Sequence, residues 1–267
     1  MIRQPSANSE GLIVAAGMAA RSILTHVTVW LATAVLGSLT IIFTFFFPKK
    51  TVTNLGWLWS WLILKASGVQ LEIYGLEKLP QGCAVLAGNH SSNFDIYAVL
   101  LAMRPHYYRF VVKKELRWLP VFGWALWMAR FPFVDRQRSP KARRVMVRLL
   151  ERMRATSMKI VMFPEGTRNR RLGLLPFRKG AFVLAIDLGA PIVPMVINGA
   201  RRTQSRHGFA VRPGPMKITF LDPIPTEGMS YDDRDALMKK VRRLIYDRLD
   251  EDEKGAEPDA ETISNED

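Results

Sequence analysis

Residues 22–48 contain no Lys, Arg, Asp or Glu. A run of that length leaves few places for the chain to go. A bilayer span needs about 20 apolar residues, and the core Val27–Phe47 satisfies that. The 21 consecutive apolar or small residues of Val27–Phe47 are rare in the core helix of a soluble protein. Thr51–Leu64 is also free of charge but short for a span. Its Trp57, Trp59 and Trp61 suit a membrane interface, where an indole buries its ring and keeps its N–H wet. Lys49 and Lys50 join the two segments. Two arrangements satisfy this pattern: one span followed by an interfacial helix, or a helical hairpin dipping into one leaflet. Residues 1–21 are small and mixed. Gly11–Ala20 has the apolar character of a signal peptide, but only Arg3 precedes it and Arg21 interrupts it, so it reads as a retained N-terminal segment.

From Val69 the periodicity changes. Val69, Leu71 and Ile73 alternate with polar residues, as in a half-buried strand. Strand-like runs follow at 84–87, 108–112, 131–134, 158–163, 192–197 and 216–221, with helical patterns at 94–103, 118–129, 140–155 and 178–188. Strands alternating with helices indicate an α/β fold with a largely parallel sheet flanked by helices. Strand order is left open. Ser139-Pro140 starts a helix well, as N-cap and first helical residue. Its apolar stripe is Val145, Met146, Leu149, Leu150 and Met153, and its remaining faces are rich in arginine, a dock for anionic lipid or for an acidic carrier protein. A last helix runs over Tyr231–Leu249, with Leu237, Val241, Leu244, Ile245 and Leu249 inward and Asp232, Asp233 and Asp235 at its positive end. The chain thus divides into an N-terminal segment (1–21), membrane-embedded helices (22–65), an α/β domain (66–249) and a disordered acidic tail (250–267).

The formal charge is +14, and residues 247–267 contribute a local −8, which leaves +22 on the rest. That excess favours an anionic partner such as a membrane surface or a phosphorylated substrate. Nothing accompanies it that would read nucleic acid. Cys83 is the only cysteine, so no internal disulfide forms. With His26, His106 and His207 the only histidines besides His90, no metal site is expected.

Directly after the strand-like Ala84-Val85-Leu86 comes Ala87-Gly88-Asn89-His90-Ser91-Ser92-Asn93-Phe94-Asp95. On one regular helix a five-residue step would turn His90 and Asp95 about 140° apart. Acting together, they need His90 in the strand-to-helix turn and Asp95 in the first helical turn, with Ser91, Ser92 or Asn93 as N-cap. A carboxylate on one ring nitrogen fixes the tautomer and leaves the other nitrogen as a base near neutral pH. A second polar cluster, Phe163-Pro164-Glu165-Gly166-Thr167-Arg168, follows the strand-like Lys159–Met162. Open α/β sheets hold their sites at such strand ends.

These two blocks, with Phe131-Pro132-Phe133-Val134-Asp135-Arg136 between them and Val193-Pro194-Met195-Val196-Ile197-Asn198-Gly199 after them, resemble the signature blocks of the glycerolipid acyltransferases, typified by lysophosphatidate acyltransferase. The resemblance covers about residues 70–222. The chain departs from the family pattern at Asn169, where a serine is common, and at Phe131-Pro132, where a Gly-Val-type pair is commoner. The resemblance implies a membrane-embedded N-terminal helix pair and acyl transfer from acyl-CoA or acyl carrier protein, as co-substrate without a resident cofactor, to the free hydroxyl of lysophosphatidate. His90 would be the base and Asp95 its partner. Arg168 and Arg136 would bind the acceptor phosphate. Lys113 or Lys114 would reach the same site from the end of a strand, with Lys179 a further cation. Asn89, Glu165, Gly166, Thr167 and Pro194 would shape the site, Glu165 by holding Arg168 or its loop. The protein would sit on a membrane with its catalytic domain facing the cytoplasm, which is the inner membrane if the source is bacterial. Alternative acceptors are another lysophospholipid, lyso-ornithine lipid or a glycolipid. A non-catalytic lipid-binding protein would keep the fold without needing His90 or Asp95, and a lipase-like hydrolase would need a G-x-S-x-G elbow, which is absent from the sequence.

Overall fold

A computed structural model describes residues 7–134, 148–149, 151–153, 155–204 and 208–255. The chain opens with two long helices, α1 (Ala7–Phe46) and α2 (Pro48–Ser67). They pack antiparallel, so α1 residues 22–26 and the end of α2 return to one side of the molecule. Ser22 Oγ accepts from Val211 N–H, the His26 and Phe209 rings stack at 4.6 Å, and Gly68, which caps α2, accepts from Gly214 N–H. α1 and α2 thus form a helical hairpin.

The two helices differ in what they bury. Within α1, Val14–Phe46 is long and apolar enough to cross a membrane, and 17% of its most apolar window is buried, where a soluble core helix would be mostly covered. Trp30, Leu31, Val35, Phe45 and Phe46 are exposed. α2 is instead a protein-packing helix, with Ile63 and Leu64 in the core and Ser60 Oγ donating to Tyr97 O on the following helix. Trp59, expected at an interface, points inward. Its indole N–H donates to Thr33 Oγ1 (3.0 Å), and its ring meets Tyr97 edge-on at 5.1 Å. An inward indole keeps its polar atom satisfied by the neighbouring helix rather than by water.

The α/β domain follows as β1 (Val69–Tyr74), β2 (Ala84–Gly88), α3 (Phe94–Ala102), β3 (Tyr108–Phe110), β4 (Val112–Lys113), α4 (Phe122–Met128), β5 (Phe133–Val134), β6 (Lys159–Met162), α5 (Gly180–Leu188), β7 (Ile192–Asn198), α6 (Ala200–Thr203), β8 (Gly214–Phe220) and α7 (Arg234–Asp247). Six strands form one sheet in the order β1-β8-β7-β2-β6-β3, parallel except where β7 meets β8. Central β2 and β7 are buried along their whole length, as their unbroken apolar runs require. One core lies against α2 and α3, the other against α5 and α7. Leu149 and Met153 of the arginine-rich helix are buried in the second core. Residues 135–147 of that segment, Arg136 and Pro140 included, lie outside the described residues.

Two expectations are corrected. The strand-like run 131–134 does not join the main sheet: among the described residues β5 pairs with β4 in a separate two-stranded ribbon. The acidic stretch after Leu249, expected to be disordered, is packed as far as Gly255. Asp250 and Asp252 take the Arg202 guanidinium, and Glu253, 4% exposed, accepts from Gly199 N–H (2.8 Å). Local composition argues for disorder there, but a waiting cation and a buried N–H supply partners that composition does not reveal. Residues 256–267 lie outside the described part. Glu253→Ala strands the Gly199 N–H and should cost about 1–3 kcal/mol of stability in a denaturant titration; a change under about 0.5 kcal/mol would mean that the packed tail holds nothing in place.

Candidate active site

The register of the parallel strands builds the site. Ala87 of β2 lies opposite Met162 of β6, and Gly88 lies opposite Met195 of β7. The turn after β2 (residues 89–93) and the loop after β6 (163–169) therefore leave the sheet side by side. Asn89 extends the pairing with its side chain: Nδ2 donates to Ile197 O and Oδ1 accepts from Ile197 N–H, both at 2.8 Å.

The loop then grips the turn. His90 N–H donates to Glu165 Oε1 (2.7 Å), and Asn169 N–H donates to His90 O (2.7 Å). Glu165 Oε2 accepts from Leu175 N–H (2.9 Å), so its carboxyl ties the turn to the chain beyond the loop. Of the two tasks suggested for Glu165, holding Arg168 or holding the loop, its contacts match the second. Gly166 takes φ +71, and a Cβ there would lie 2.7 Å from Arg178 Nε, so a side chain would meet both strain and a clash. Asn169, where the family often has serine, closes the loop with Oδ1 accepting from Arg171 N–H and Nδ2 donating to Gly173 O. The parts of Asn169 and Glu253, and the grip on His90 from both sides, were missed in sequence. For Asn169 the signal was its place directly after the second block.

Within this frame His90 Nδ1 lies 2.8 Å from Asp95 Oδ2. Asp95 is fully buried in the first turn of α3, and the same oxygen accepts from Ser91 N–H (2.7 Å) and Ser92 N–H (2.8 Å). The carboxylate thus satisfies two amides ahead of the helix and aims the imidazole together. Asn93 holds the N-cap position without a capping bond, and its Oδ1 accepts from Arg168 Nη1 (2.9 Å). Phe163 stacks on the His90 ring at 4.2 Å and 14°. The ring is 13% exposed, and with Nδ1 directed to Asp95 its free nitrogen is Nε2.

His90 lines a cavity of about 1370 Å³. One part is walled by Gly37 of α1, Trp59 of α2, Leu100 of α3 and Phe122 of α4; another by Gly166, Thr167, Arg178 and Lys179. The cavity is therefore apolar toward the helical hairpin and cationic beside the second block. Lys179 Nζ lies 3.7 Å from Asp235. Lys113 and Lys114 are exposed and do not line the cavity; Lys113 Nζ lies 3.7 Å from Glu115. Pro194 is buried mid-strand opposite Ala87 and supports β2 rather than touching the cavity.

A family model described as Acyltransferase matches residues 70–198. The 1-acyl-sn-glycerol-3-phosphate acyltransferase of Haemophilus influenzae is 32% identical over 214 residues, 77% of this chain and 86% of its own. The chain belongs to the acyltransferase family. Two mammalian relatives, named 1-acyl-sn-glycerol-3-phosphate acyltransferase alpha, are 32% identical over 179 residues: that of Ovis aries, of which the match covers 62%, and that of Homo sapiens, of which it covers 63%. The chain thus spans less than two thirds of those relatives. The fold is shared with the crystal structure of the 1-acyl-sn-glycerophosphate (LPA) acyltransferase PlsC from Thermotoga maritima, at TM-score 0.66 and 22% identity over 84% of this chain and 94% of that one. The family model covers three of the four signature blocks outright and all but the last residue of the fourth.

Burial pushes Glu165 up to about 8, against the pull of the His90 and Leu175 N–H groups and with the repulsion of Asp95 added. Its folded pKa lies above the ordinary 4.5, so the folded chain keeps a proton that the unfolded chain releases, and stability falls as pH rises between these values. Chemical denaturation from pH 5 to 8 should show this decline, and Glu165→Gln should flatten it. An unchanged slope in the variant would assign the decline to another group.

Proposed function

We propose that this chain is a membrane-bound acyltransferase that moves a fatty acyl group from an acyl thioester to the free hydroxyl of lysophosphatidate, giving phosphatidate. One observation carries this reading: an imidazole fixed by a buried carboxylate stands in the wall of a large cavity, apolar on one side and cationic on another. The apolar part suits a fatty chain and the cations suit phosphate. The names of the relatives agree with that substrate.

In the reaction Nε2 of His90 takes the proton of the acceptor hydroxyl as its oxygen attacks the thioester carbonyl. The C–S bond breaks, and the departing thiolate takes a proton, which His90 can return. Asp95 holds the tautomer and stabilises the imidazolium that forms. The thioester brings its own activation, so the enzyme needs no covalent intermediate and no resident cofactor. Acyl-CoA and acyl carrier protein are both suitable donors. α1 embeds in the bilayer and keeps the cavity near its lipid substrates, with the catalytic domain on the cytoplasmic side. The acceptor phosphate goes to Arg168, which the contact with Asn93 sets beside the His90 turn. Lys179, in the cavity wall, is a further candidate for the same anion, as are Lys113 and Lys114, which stand outside that wall, and Arg136, which lies outside the described residues.

His90→Ala should lower kcat at least about a hundredfold in a purified, folded enzyme assayed with acyl-CoA and lysophosphatidate. Asp95→Asn should lose activity heavily too, through the wrong tautomer, as in the serine-protease case. Residual activity of His90→Ala above about a hundredth of wild type would remove the general-base role. For the acceptor, Arg168→Lys keeps the charge but loses the fork. It should reduce kcat/KM for lysophosphatidate about 10- to 150-fold, the worth of one charge-assisted hydrogen bond, and spare the donor KM. A raised donor KM with normal acceptor use would move Arg168 to the donor site.

A further inference from the structure

We propose that the segment from Lys114 to Met128 is a second membrane-docking surface, which seats in the anionic headgroup layer of the bilayer that receives α1. The inference takes α1 as membrane-embedded, as proposed above, and adds a contact which that reading does not require.

The observation is a two-faced helix. On α4, Phe122, Ala125 and Leu126 line the cavity. On the outer side Trp124 and Trp127 are 52% and 50% exposed, and just before the helix Trp118 and Leu119 are 80% and 48% exposed. These side chains form one patch. Residues 124 and 127 are helix neighbours, and the guanidinium of Arg117, next to Trp118, lies 5.2 Å from the Trp127 ring. Single exposed apolar residues are ordinary, but a patch of this kind marks an interaction surface.

Two features identify a bilayer as its occupant. The first is continuity with the apolar hairpin. α4 is clamped onto α1 where Val121 meets Gly37 so closely that a Cβ on Gly37 would lie 2.7 Å from Val121 Cγ1. Val121 holds φ +60, a strained value for a β-branched residue, which persists only where packing compensates. Val35 and Ile42, on the same stretch of α1 as Gly37, are exposed. The second is chemistry. The patch is built of tryptophan, whose amphipathic ring belongs at headgroup depth, and α4 itself carries no charge. Its edge bears Lys113, Lys114 and Arg117 against the single Glu115. Cations beside apolar rings match the negative surface of an anionic bilayer. On that surface the inner face of α4 would bring the cavity wall to the level of the lipids.

The test uses the full chain with Cys83→Ser. Trp118→Cys and Trp124→Cys, each in that background, carry a nitroxide in separate samples, with Leu31→Cys on α1 and Lys239→Cys on α7 as references. Each is reconstituted with phosphatidylcholine vesicles, with and without phosphatidylglycerol. Collision rates with oxygen and with a water-soluble nickel chelate report depth, and thermal melts confirm folding. Two positions on the patch guard against the loss of one variant. The proposal expects both patch labels to read a depth between those of Leu31 and Lys239, and closer to Leu31 with phosphatidylglycerol, while Lys239 stays aqueous. If Leu31 is in lipid and both patch labels behave like Lys239, the docking surface is overturned and the membrane anchor stands. If Leu31 is aqueous too, the anchor fails and takes the proposal with it. Spin–spin coupling between patch labels would overturn it in favour of a second copy of the chain.

Discussion

The site rests on the pairing of β2 with β6. These strands are far apart in sequence, and their parallel register sends the His90 turn and the Phe163–Asn169 loop out of the sheet together. Hydrogen bonds to the His90 backbone then join the two polar segments, its N–H donating to the Glu165 carboxyl and its C=O accepting from the Asn169 amide. A histidine in a turn would otherwise have several orientations. Here its backbone is fixed by one loop and its ring by Asp95, so the imidazole is presented in one pose. Preorganisation of that kind suits the general-base role proposed for His90.

The same economy appears in Asp95 and Glu165. Each carboxyl is buried and serves two or more donors, one aiming the ring and the other securing the chain. Buried polar groups are tolerated where their hydrogen bonds are made; those of Glu165 run between segments, whereas those of Asp95 stay within its own turn. Loss of Glu165 would therefore loosen the contact between loop and turn, and loss of Asp95 the turn that carries His90. Arg178 packs so close to Gly166 that the loop has no room for a side chain there.

The helical hairpin is part of this construction rather than an appendage. α2 packs its Ile63 and Leu64 into the domain core, while the middle of α1 lines the cavity that reaches His90. The lipid-like region and the chemical group therefore share one space. The inward Trp59 marks the difference between composition and placement. A tryptophan-rich helix read by itself points to an interface, and the Thr33 hydroxyl on the neighbouring helix draws one of its indoles inside.

The elements and the neighbours of the His90 turn were legible in the sequence. Apolar periodicity located the strands of the main sheet and most of its helices, because burial of one face imposes its period on any chain. The local spacing of His90 and Asp95 around a turn predicted their contact, which follows from five residues of backbone. Tertiary structure alone decided what depends on distant partners. Strand order set which loops meet. The hairpin set where both ends of the long helices lie. The β4–β5 ribbon drew Phe133 and Val134 out of the main sheet. Asn169, Glu253 and the chain to Gly255 acquired their places only because His90, Gly199 and Arg202 were already there to receive them. Hydrogen bonds between distant parts of the chain leave no period in a sequence, whereas a buried face does.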